Sequence, residues 1–185
     1  MTRIIAGQAK GRRLRTPPGG HTRPTTDRVR EALFSAVESW CGSLQGLRVL
    51  DLYAGSGAVG LEAWSRGAEA VTFVESDKAT AALVATNARD LGFAAADVRA
   101  ARVVTVLAAP PAAPYDVVFS DPPYPLSETD LADDLQRLAA GWLAPDALVV
   151  VERSRRSPEP TWPAAITGDR DKRYGETTLW YGHAP

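Results

Sequence analysis

The stretch Val49-Leu-Asp-Leu-Tyr-Ala-Gly-Ser-Gly-Ala-Val-Gly60 decides the fold. It joins an apolar strand over 47–52 to a helix over 57–66, and its glycines form the pattern G-x-G-x-x-G. Glycines at this spacing allow a tight strand-to-helix turn and let a ligand approach the backbone closely. Glu75 ends the next predicted strand, where a carboxylate accepts hydrogen bonds from ribose hydroxyls. The motif therefore predicts an α/β sheet that binds a nucleoside-containing ligand.

Strands and helices alternate along the rest of the chain. The further predicted strands lie at 70–75, within 97–104, at 115–120 and at 147–152, and the helices at 77–91 and 128–140. Apolar strands separated by helices of this length are typical of a mostly parallel sheet with helices on both faces. Two more strands, near 161–167 and 177–181, have no helix between them. They predict an antiparallel hairpin at the edge of the sheet.

The first 16 residues predict a small β-hairpin, with strands over 3–6 and 12–15 around a glycine-containing turn. A helix follows that ends near Gly42. Its candidate N-caps are Thr25, Thr26 and Asp27. We therefore divide the chain into a basic hairpin and loop, 1–24, and a main domain, 25–185.

Composition excludes several classes of protein. A chain of 185 residues with 45% apolar and 23% charged residues is typical of one globular domain, not of a disordered or fibrous protein. It has neither a run of 18 apolar residues nor an N-terminal signal segment, so we expect a cytoplasmic protein without membrane spans. Cys41 is the single cysteine, which excludes internal disulfides and a cysteine-cluster metal site; we expect no metal.

The charge is unevenly distributed. Residues 1–30 carry a net charge of +7 and the remaining residues −8. A basic arm on an acidic body predicts a polyanionic partner, bound in a salt-dependent way. A solvated basic terminus without a partner is the alternative interpretation.

Asp51 distinguishes between the nucleoside-containing ligands. It lies four residues before Gly55. A carboxylate there would repel the pyrophosphate of a dinucleotide, which favours a positive helix N-terminus, but would attract the amino group or sulfonium of S-adenosylmethionine. A dehydrogenase also needs a substrate domain, for which this chain has no room. The prediction is S-adenosylmethionine; an NAD-dependent reductase and a tight turn without ligand are the alternatives.

Asp121-Pro122-Pro123-Tyr124 follows the strand at 115–120, at the end where open α/β sheets bind ligands. The Asp121 carboxylate and the Pro122 carbonyl give two acceptors, which suit the two donors of an exocyclic NH₂ group. Tyr124 supplies a flat face on which an unstacked base can lie. Holding both N–H bonds turns the nitrogen lone pair toward a methyl carbon, so positioning and electrostatics suffice without a metal. A rigid turn with a surface tyrosine is the alternative.

The two motifs resemble those of amino-methyltransferases that act on exocyclic nitrogens of nucleic acids. The whole chain is similar to the bacterial 16S rRNA (guanine-N2)-methyltransferase family through four further segments: Arg3-Ile-Ile-Ala-Gly, Lys10-Gly-Arg-Arg-Leu, Arg23-Pro-Thr-Thr-Asp-Arg-Val-Arg-Glu-Ala-Leu-Phe34 and Tyr174-Gly-Glu-Thr177. The resemblance implies a Rossmann-like class I methyltransferase fold with a seven-stranded sheet and an N-terminal hairpin that helps to hold RNA. It also implies methylation of one guanine N2 in 16S rRNA during ribosome assembly, within a small-subunit particle. We expect a monomer.

The resemblance also assigns roles to residues. The expected cofactor-binding residues are Asp51, Tyr53, Ala54, Gly55, Ser56, Gly57, Glu75, Ser76, Arg102 and Val103. The expected catalytic residues are Asp121, Pro122, Pro123 and Tyr124. The expected RNA-binding residues are Arg3, Lys10, Arg12, Arg13, Arg15, Arg23, Thr25, Arg28, Lys172 and Tyr174. Many members of the class carry an acidic residue where Arg102 and Val103 stand, and Asp97 is the alternative position for it.

Other interpretations stay open. Arg153, Arg155 and Arg156, together with Lys172 and Arg173, either extend an RNA-binding face or form a solvated run of charge. An adenine-N6 methyltransferase acting on DNA or RNA would use the same cofactor and the same Asp-Pro-Pro-Tyr corner. It is disfavoured because nothing in the chain resembles a DNA-reading domain. A non-enzymatic RNA-binding assembly factor is disfavoured because both motifs are intact.

Overall fold

The computed structural model describes residues 1–19 and 25–185. The first two strands, β1 (Thr2–Arg3) and β2 (Arg13–Leu14), form a separate antiparallel pair. The main-sheet strands are β3 (Arg48–Leu52), β4 (Ala70–Glu75), β5 (Asp97–Ala100), β6 (Tyr115–Ser120), β7 (Leu143–Ser154), β8 (Thr167–Tyr174) and β9 (Thr177–His183). The helices are α1 (Asp27–Cys41), α2 (Ala58–Ser65), α3 (Lys78–Leu91), α4 (Val103–Val106) and α5 (Glu128–Ala139).

Seven of the described strands form one sheet, in the order β5-β4-β3-β6-β7-β9-β8. The five strands from β5 to β7 are parallel, whereas β9 is antiparallel to β7 and to β8. The strand order reverses between β3 and β6, which makes their carboxyl ends the point where ligands bind in sheets of this kind. The predicted parallel sheet and its antiparallel edge hairpin are confirmed.

Helices cover both faces of the sheet, as predicted. On one face, which we call the α1 face, α1, α2 and α3 pack on side chains such as Val49 and Phe119. On the other face, the α5 face, α4 and α5 pack on side chains such as Leu50 and Val118. Side chains of successive strand residues point to opposite faces. The face on which each strand-end residue projects is therefore set by its position in the strand.

The N-terminal hairpin packs on the α1 face. Ile4 and Leu14 are buried in the same core as α1, α2 and α3. The carboxylate of Glu62, in α2, accepts hydrogen bonds from the backbone N–H groups of Ile5 and Ala6 at 2.8 and 2.9 Å. The basic segment is therefore fixed to the main domain by buried contacts.

The strands predicted over 3–6 and 12–15 are shorter in the structure, Thr2–Arg3 and Arg13–Leu14, and the strand predicted at 147–152 is longer, Leu143–Ser154. Two further strands differ from the prediction. The strand within 97–104 spans only Asp97–Ala100, because the chain turns into the short helix α4. The strand predicted near 161–167 is wrong: β8 spans Thr167–Tyr174 instead. Its residues are almost all exposed, because this edge strand is held by its ladder to β9 and not by an apolar face. A polar edge strand leaves no alternating hydrophobic pattern in the sequence.

Candidate active site

The glycine loop brings α2 close to the sheet. Gly57, with φ of 81°, is the N-cap of α2 and lies in the left-handed region that favours glycine. A Cβ on Gly60 would lie 2.3 Å from the ring of Phe73 in β4. The close approach places the N-terminus of α2 directly beside the carboxyl ends of β3 and β4.

Asp51 is a buried carboxyl at the end of β3. Its Oδ2 accepts a hydrogen bond from the backbone N–H of Gly60 at 2.9 Å. Burial raises the pKa of Asp51 to about 8; the charge of Glu75 adds to this shift and the Gly60 hydrogen bond opposes it. No Lys or Arg among the described residues forms a salt bridge with it. A bound cation would favour its ionised form.

Glu75, at the end of β4, lies beside the glycine loop. Its Oε2 accepts from the backbone N–H of Gly55 at 3.0 Å, and its Oε1 accepts from that of Asp77 at 2.9 Å. The Ala54 N–H also donates to the Val74 carbonyl, so a second hydrogen bond joins the glycine loop to the end of β4. The structure therefore brings the two predicted acids, Asp51 and Glu75, to the same loop.

A cavity of about 210 Å³ opens beside Glu75. Its lining includes Tyr53, Glu75, Ser76, Arg102, Val103 and Asp134. The Tyr53 hydroxyl donates to Asp134 Oδ2 at 2.5 Å, and burial together with this hydrogen bond raises the pKa of Tyr53. The cavity is smaller than most sites for drug-sized ligands, roughly 300–1,000 Å³, so it suits one part of a ligand.

Arg102 and Val103 line this cavity, whereas Asp97 does not. Asp97 is at the opposite end of β5, where its carboxylate accepts from the Thr72 hydroxyl at 3.1 Å and pairs with Arg99. Of the two sequence positions considered for the acidic residue of the class, the structure brings only Arg102–Val103 to the cavity.

The Asp-Pro-Pro-Tyr corner leaves β6 at the same edge. The N–H of Asp121 donates to the Leu52 carbonyl at 3.5 Å, which extends the pairing of β6 with β3. Within the described residues, no hydrogen-bond donor reaches the Pro122 carbonyl. The Tyr124 side chain is 65% exposed. The corner therefore presents two acceptors and an open aromatic face.

Carboxylates surround Asp121. It keeps accessible surface at the edge of the sheet, yet protein atoms crowd its carboxyl, and this burial is the main reason that its pKa is raised well above its usual value. The charges of Glu152 and Asp51 raise the pKa further, whereas Arg153 opposes the shift. The Thr25 hydroxyl donates to Glu152 Oε2 at 3.1 Å.

Comparison with known proteins identifies the family to which this chain belongs. The family described as conserved hypothetical protein 95 matches residues 2–183. The chain belongs to this family. It is 40% identical over 179 residues to Ribosomal RNA small subunit methyltransferase D of Escherichia coli, covering 94% of this chain and 85% of that protein. The solved structure of yhhF from Escherichia coli superposes with a TM-score of 0.85 at 35% identity, covering 99% and 97% of the two chains.

A more distant structure shows the same fold. An RNA methyltransferase from Salinibacter ruber, in complex with S-adenosyl-L-homocysteine, superposes with a TM-score of 0.63 at 17% identity, covering 88% of this chain and 94% of that one. The predicted class I methyltransferase fold is confirmed. The predicted resemblance is confirmed at the level of small-subunit rRNA methyltransferases.

In this member of the conserved hypothetical protein 95 family, three of the predicted RNA-binding arginines contact the protein itself. Arg3 pairs with Asp27 at 3.2 Å. Arg12 donates to the Asp90 carbonyl at 2.7 Å, and Arg15 pairs with the Asp90 carboxylate at 3.3 Å. These side chains remain exposed, but they also fasten the hairpin to α1 and α3.

The other predicted RNA-binding residues are dispersed. Lys10, Arg13, Arg28 and Lys172 are exposed. Arg23 lies outside the described residues. Tyr174 packs half-buried on the α1 face, at the carboxyl edge, and Thr25 contacts Glu152. Their role in binding RNA stays a prediction.

Sequence reasoning missed Asn87, Glu152 and the structural role of Arg153. Asn87 gave no signal, since one polar residue in a helix is ordinary. Glu152 ends a predicted strand, as Glu75 does, and this similarity was the signal that could have identified it as a site residue. Arg153 is buried and donates to the Leu126 carbonyl and to Glu128, so it braces the corner and does not extend an RNA face.

The described parts of this family member contain no group of three or more potential metal ligands. They also contain no helix long and apolar enough to cross a membrane.

Proposed function

We propose that the chain transfers a methyl group from S-adenosylmethionine to the exocyclic N2 of a guanine in 16S rRNA. The observation that carries this proposal is the Asp121 carboxyl beside the Pro122 carbonyl, on the same edge as the two acids of the glycine loop. The similarity to Ribosomal RNA small subunit methyltransferase D supports an rRNA substrate.

The donor set of the loop fits S-adenosylmethionine. Asp51 offers a buried carboxyl for a cationic group, and Glu75 offers a carboxylate for hydroxyl donors. Val74, Val103 and Leu126 give the cavity an apolar wall that suits a flat base. When bound, S-adenosylmethionine supplies a methyl group on a sulfonium, whose sulfur is a good leaving group.

The corner residues orient the acceptor amine. The Asp121 carboxylate and the Pro122 carbonyl accept its two N–H bonds, which directs the nitrogen lone pair away from them. Tyr124 provides the stacking face for a base taken out of its helix. Arg153 and Glu128 hold the corner against α5, so these groups are already placed when substrate arrives.

The basic hairpin supports contact with RNA. Lys10 and Arg13 are exposed on it, and the hairpin is fixed to α2 and α3 by partly buried hydrogen bonds. We propose that it binds rRNA phosphates in a small-subunit particle in the cytoplasm, and that the enzyme acts as a monomer during ribosome assembly. The assignment of residues 1–24 as an RNA-binding extension belongs to the same proposal.

The test is methyl transfer from labelled S-adenosylmethionine to three substrates: unmodified 16S rRNA, small-subunit particles that lack the modification, and duplex DNA. The products are digested and the modified nucleoside is identified by mass spectrometry. We expect N2-methylguanosine from rRNA or particles and none from DNA. N6-methyladenine would overturn the guanine assignment, and binding of S-adenosylmethionine without any product from these substrates would argue against the proposed reaction.

A further inference from the structure

We propose that the Asp134 carboxylate, in α5, accepts a hydrogen bond from the 6-amino group of the adenine of S-adenosylmethionine, and that Tyr53 positions this carboxylate. The proposal rests on the proposed function in one respect, which is the binding of S-adenosylmethionine beside the glycine loop. It does not depend on which base accepts the methyl group. Asp134 was not among the site residues expected from the sequence.

Asp134 is a buried acid with few hydrogen-bond donors. It is 4% exposed and shares the buried side of α5 with Leu131 and Leu135. Among the described residues, the Tyr53 hydroxyl is the only donor that reaches its carboxylate. A carboxylate has room for about four hydrogen bonds, and a buried one that lacks donors is unfavourable. Because Asp134 also lines the cavity beside Glu75, a ligand in that cavity can supply a further donor.

Tyr53 is held in a strained backbone conformation next to this acid. Its φ of 59° lies in the left-handed region, which a bulky residue adopts only where the surrounding structure enforces it. Tyr53 directly follows β3, and its side chain packs against the core of the α5 face. Its hydroxyl holds Oδ2 of Asp134, and Oδ1 has no donor among the described residues. Tyr53 therefore fixes one oxygen of the carboxylate and leaves the other to accept from a ligand.

The two other aspartates of the cavity are less suited to this contact. Asp130 Oδ2 accepts from the Ser127 hydroxyl at 2.8 Å, at the N-terminus of α5, and both Asp130 and Asp133 are exposed. Water competes for an exposed carboxylate, so a ligand gains less from bonding to it than to a buried one. Burial raises the pKa of Asp134 and the Tyr53 hydrogen bond opposes this shift, so a second donor favours the ionised form further.

The rest of the cavity suits a nucleoside with an amine on its base. Apolar side chains form much of the wall, as a flat ring requires. Arg102 also lines the cavity, but a guanidinium carries only donors and cannot accept an amine hydrogen. Glu75 lines the same cavity and is the acid proposed for the ribose hydroxyls. The nucleoside of S-adenosylmethionine has donors on its ribose and on its adenine, and Glu75 and Asp134 offer one acceptor for each.

The experiment measures the affinity of the protein for two ligands by calorimetry. One is S-adenosylhomocysteine, and the other is its analogue in which hydrogen replaces the 6-amino group. The variants are Asp134→Ala and Tyr53→Phe, and Asp133→Ala is the matched comparison because it removes a neighbouring acid that lines the same cavity. Circular dichroism verifies that each variant is folded, and the affinity for the analogue reports on the rest of the site.

Wild type should bind S-adenosylhomocysteine about tenfold or more tightly than the analogue, because a hydrogen bond to a charged group contributes about that much. Asp134→Ala should remove most of this preference, by weakening the binding of S-adenosylhomocysteine and leaving that of the analogue unchanged. Tyr53→Phe should reduce the preference less, since the carboxylate remains but loses the bond that orients it. Asp133→Ala should retain the preference.

A preference that persists in Asp134→Ala, or that is lost in Asp133→Ala instead, would overturn the assignment. An equal loss of affinity for both ligands in Asp134→Ala would also overturn it, because that result is expected of a residue that only supports the fold. The binding measurement needs no RNA. A wild-type protein that shows the preference but makes no N2-methylguanosine would therefore refute the proposed methyl transfer and not the contact between Asp134 and the adenine.

Discussion

The side-chain amide of Asn87, in α3, donates to the backbone carbonyl of Ser56 in the glycine loop at 3.0 Å. The same amide donates to the Arg15 carbonyl at 3.0 Å, and its oxygen accepts from the Arg15 N–H at 2.9 Å. Asn87 is buried. One side chain therefore joins the glycine loop to the end of the basic hairpin, so a change at Asn87 affects both regions.

Replacing Asn87 with Leu should weaken both regions at once. The substitution leaves the Arg15 N–H and two carbonyls without their partner in a partly buried place, which costs about 1–3 kcal/mol of unfolding free energy. We expect weaker binding of S-adenosylmethionine and of rRNA, measured by calorimetry and by filter binding, together with a lower midpoint in urea. Thr86→Ala, which removes a hydroxyl that bonds to the Ala82 carbonyl within the same helix, is the control. A stability loss with both affinities unchanged would separate Asn87 from the site.

Asp121→Asn should separate transfer from cofactor binding. The amide oxygen can still accept one N–H bond of the amine, but the amide has no negative charge to stabilise the positive charge that forms on the nitrogen, so we expect kcat to fall by about 100-fold or more. S-adenosylmethionine should bind as before, because Asp51 and Glu75 are unchanged. The melting temperature should not fall, since one of two adjacent carboxylates becomes neutral. Calorimetry and thermal melts check this, with Asp169→Asn on β8 as control. Loss of cofactor binding together with activity would mean that the corner is structural.

Asp51 should make the stability of the ligand-free protein depend on pH. Its pKa is about 8 in the folded chain and close to the usual 3.8 in the unfolded chain. Between these values the folded chain holds a proton that the unfolded chain has lost, so stability falls as the pH rises from about 4 to about 8. Asp51→Asn should flatten this fall, measured as urea midpoints across the range. Asp121 acts in the same direction and remains in the variant, so part of the slope persists.

The side-chain carbonyl that Asp51→Asn retains can still accept from the Gly60 N–H, which keeps the loop closed. Identical pH slopes for Asp51→Asn and wild type would contradict the raised pKa of Asp51. Binding of a cationic ligand should in addition release a proton near pH 7 in the wild type, because the ionised form of Asp51 is favoured. Calorimetry in buffers of different ionisation enthalpy measures that proton, and it should be lost in Asp51→Asn.

Local sequence patterns were sufficient for the parallel sheet and for the loop acids. Each of these features has a signal within a short stretch of sequence: the apolar runs, the glycine spacing and the acids at the ends of β3 and β4. Asp51 and Glu75 could be assigned because strands of a parallel sheet end at one edge. The sequence also predicted both hairpins, because short connections force neighbouring strands to pair.

Features that depend on tertiary contacts were not predictable. Arg153 stands in an Arg-rich stretch that resembles a solvated surface, and only the packing of β7 beside the corner buries it. Asn87 depends on a hairpin 72 residues away in the chain. The β8 strand is held by its pairing with β9 and carries no hydrophobic pattern of its own. For Arg153 and Asn87 the determining contact lies across the fold.

The hairpin cations should divide into two groups by their effect on RNA binding. Lys10 and Arg13 are exposed and have no ion pair among the described residues, whereas Arg12 and Arg15 also contact Asp90. The plot of log K for rRNA binding against log salt concentration has a slope to which each phosphate contact contributes about one. Replacing Lys10 and Arg13 together with alanine should therefore make this slope less steep by about two. Replacing Arg12 and Arg15 should change that slope less and lower the urea midpoint more, since their bonds to α3 are lost. Filter binding over a salt series measures the slope, and an unchanged slope for the Lys10 and Arg13 variant would place the RNA contact elsewhere on the molecule.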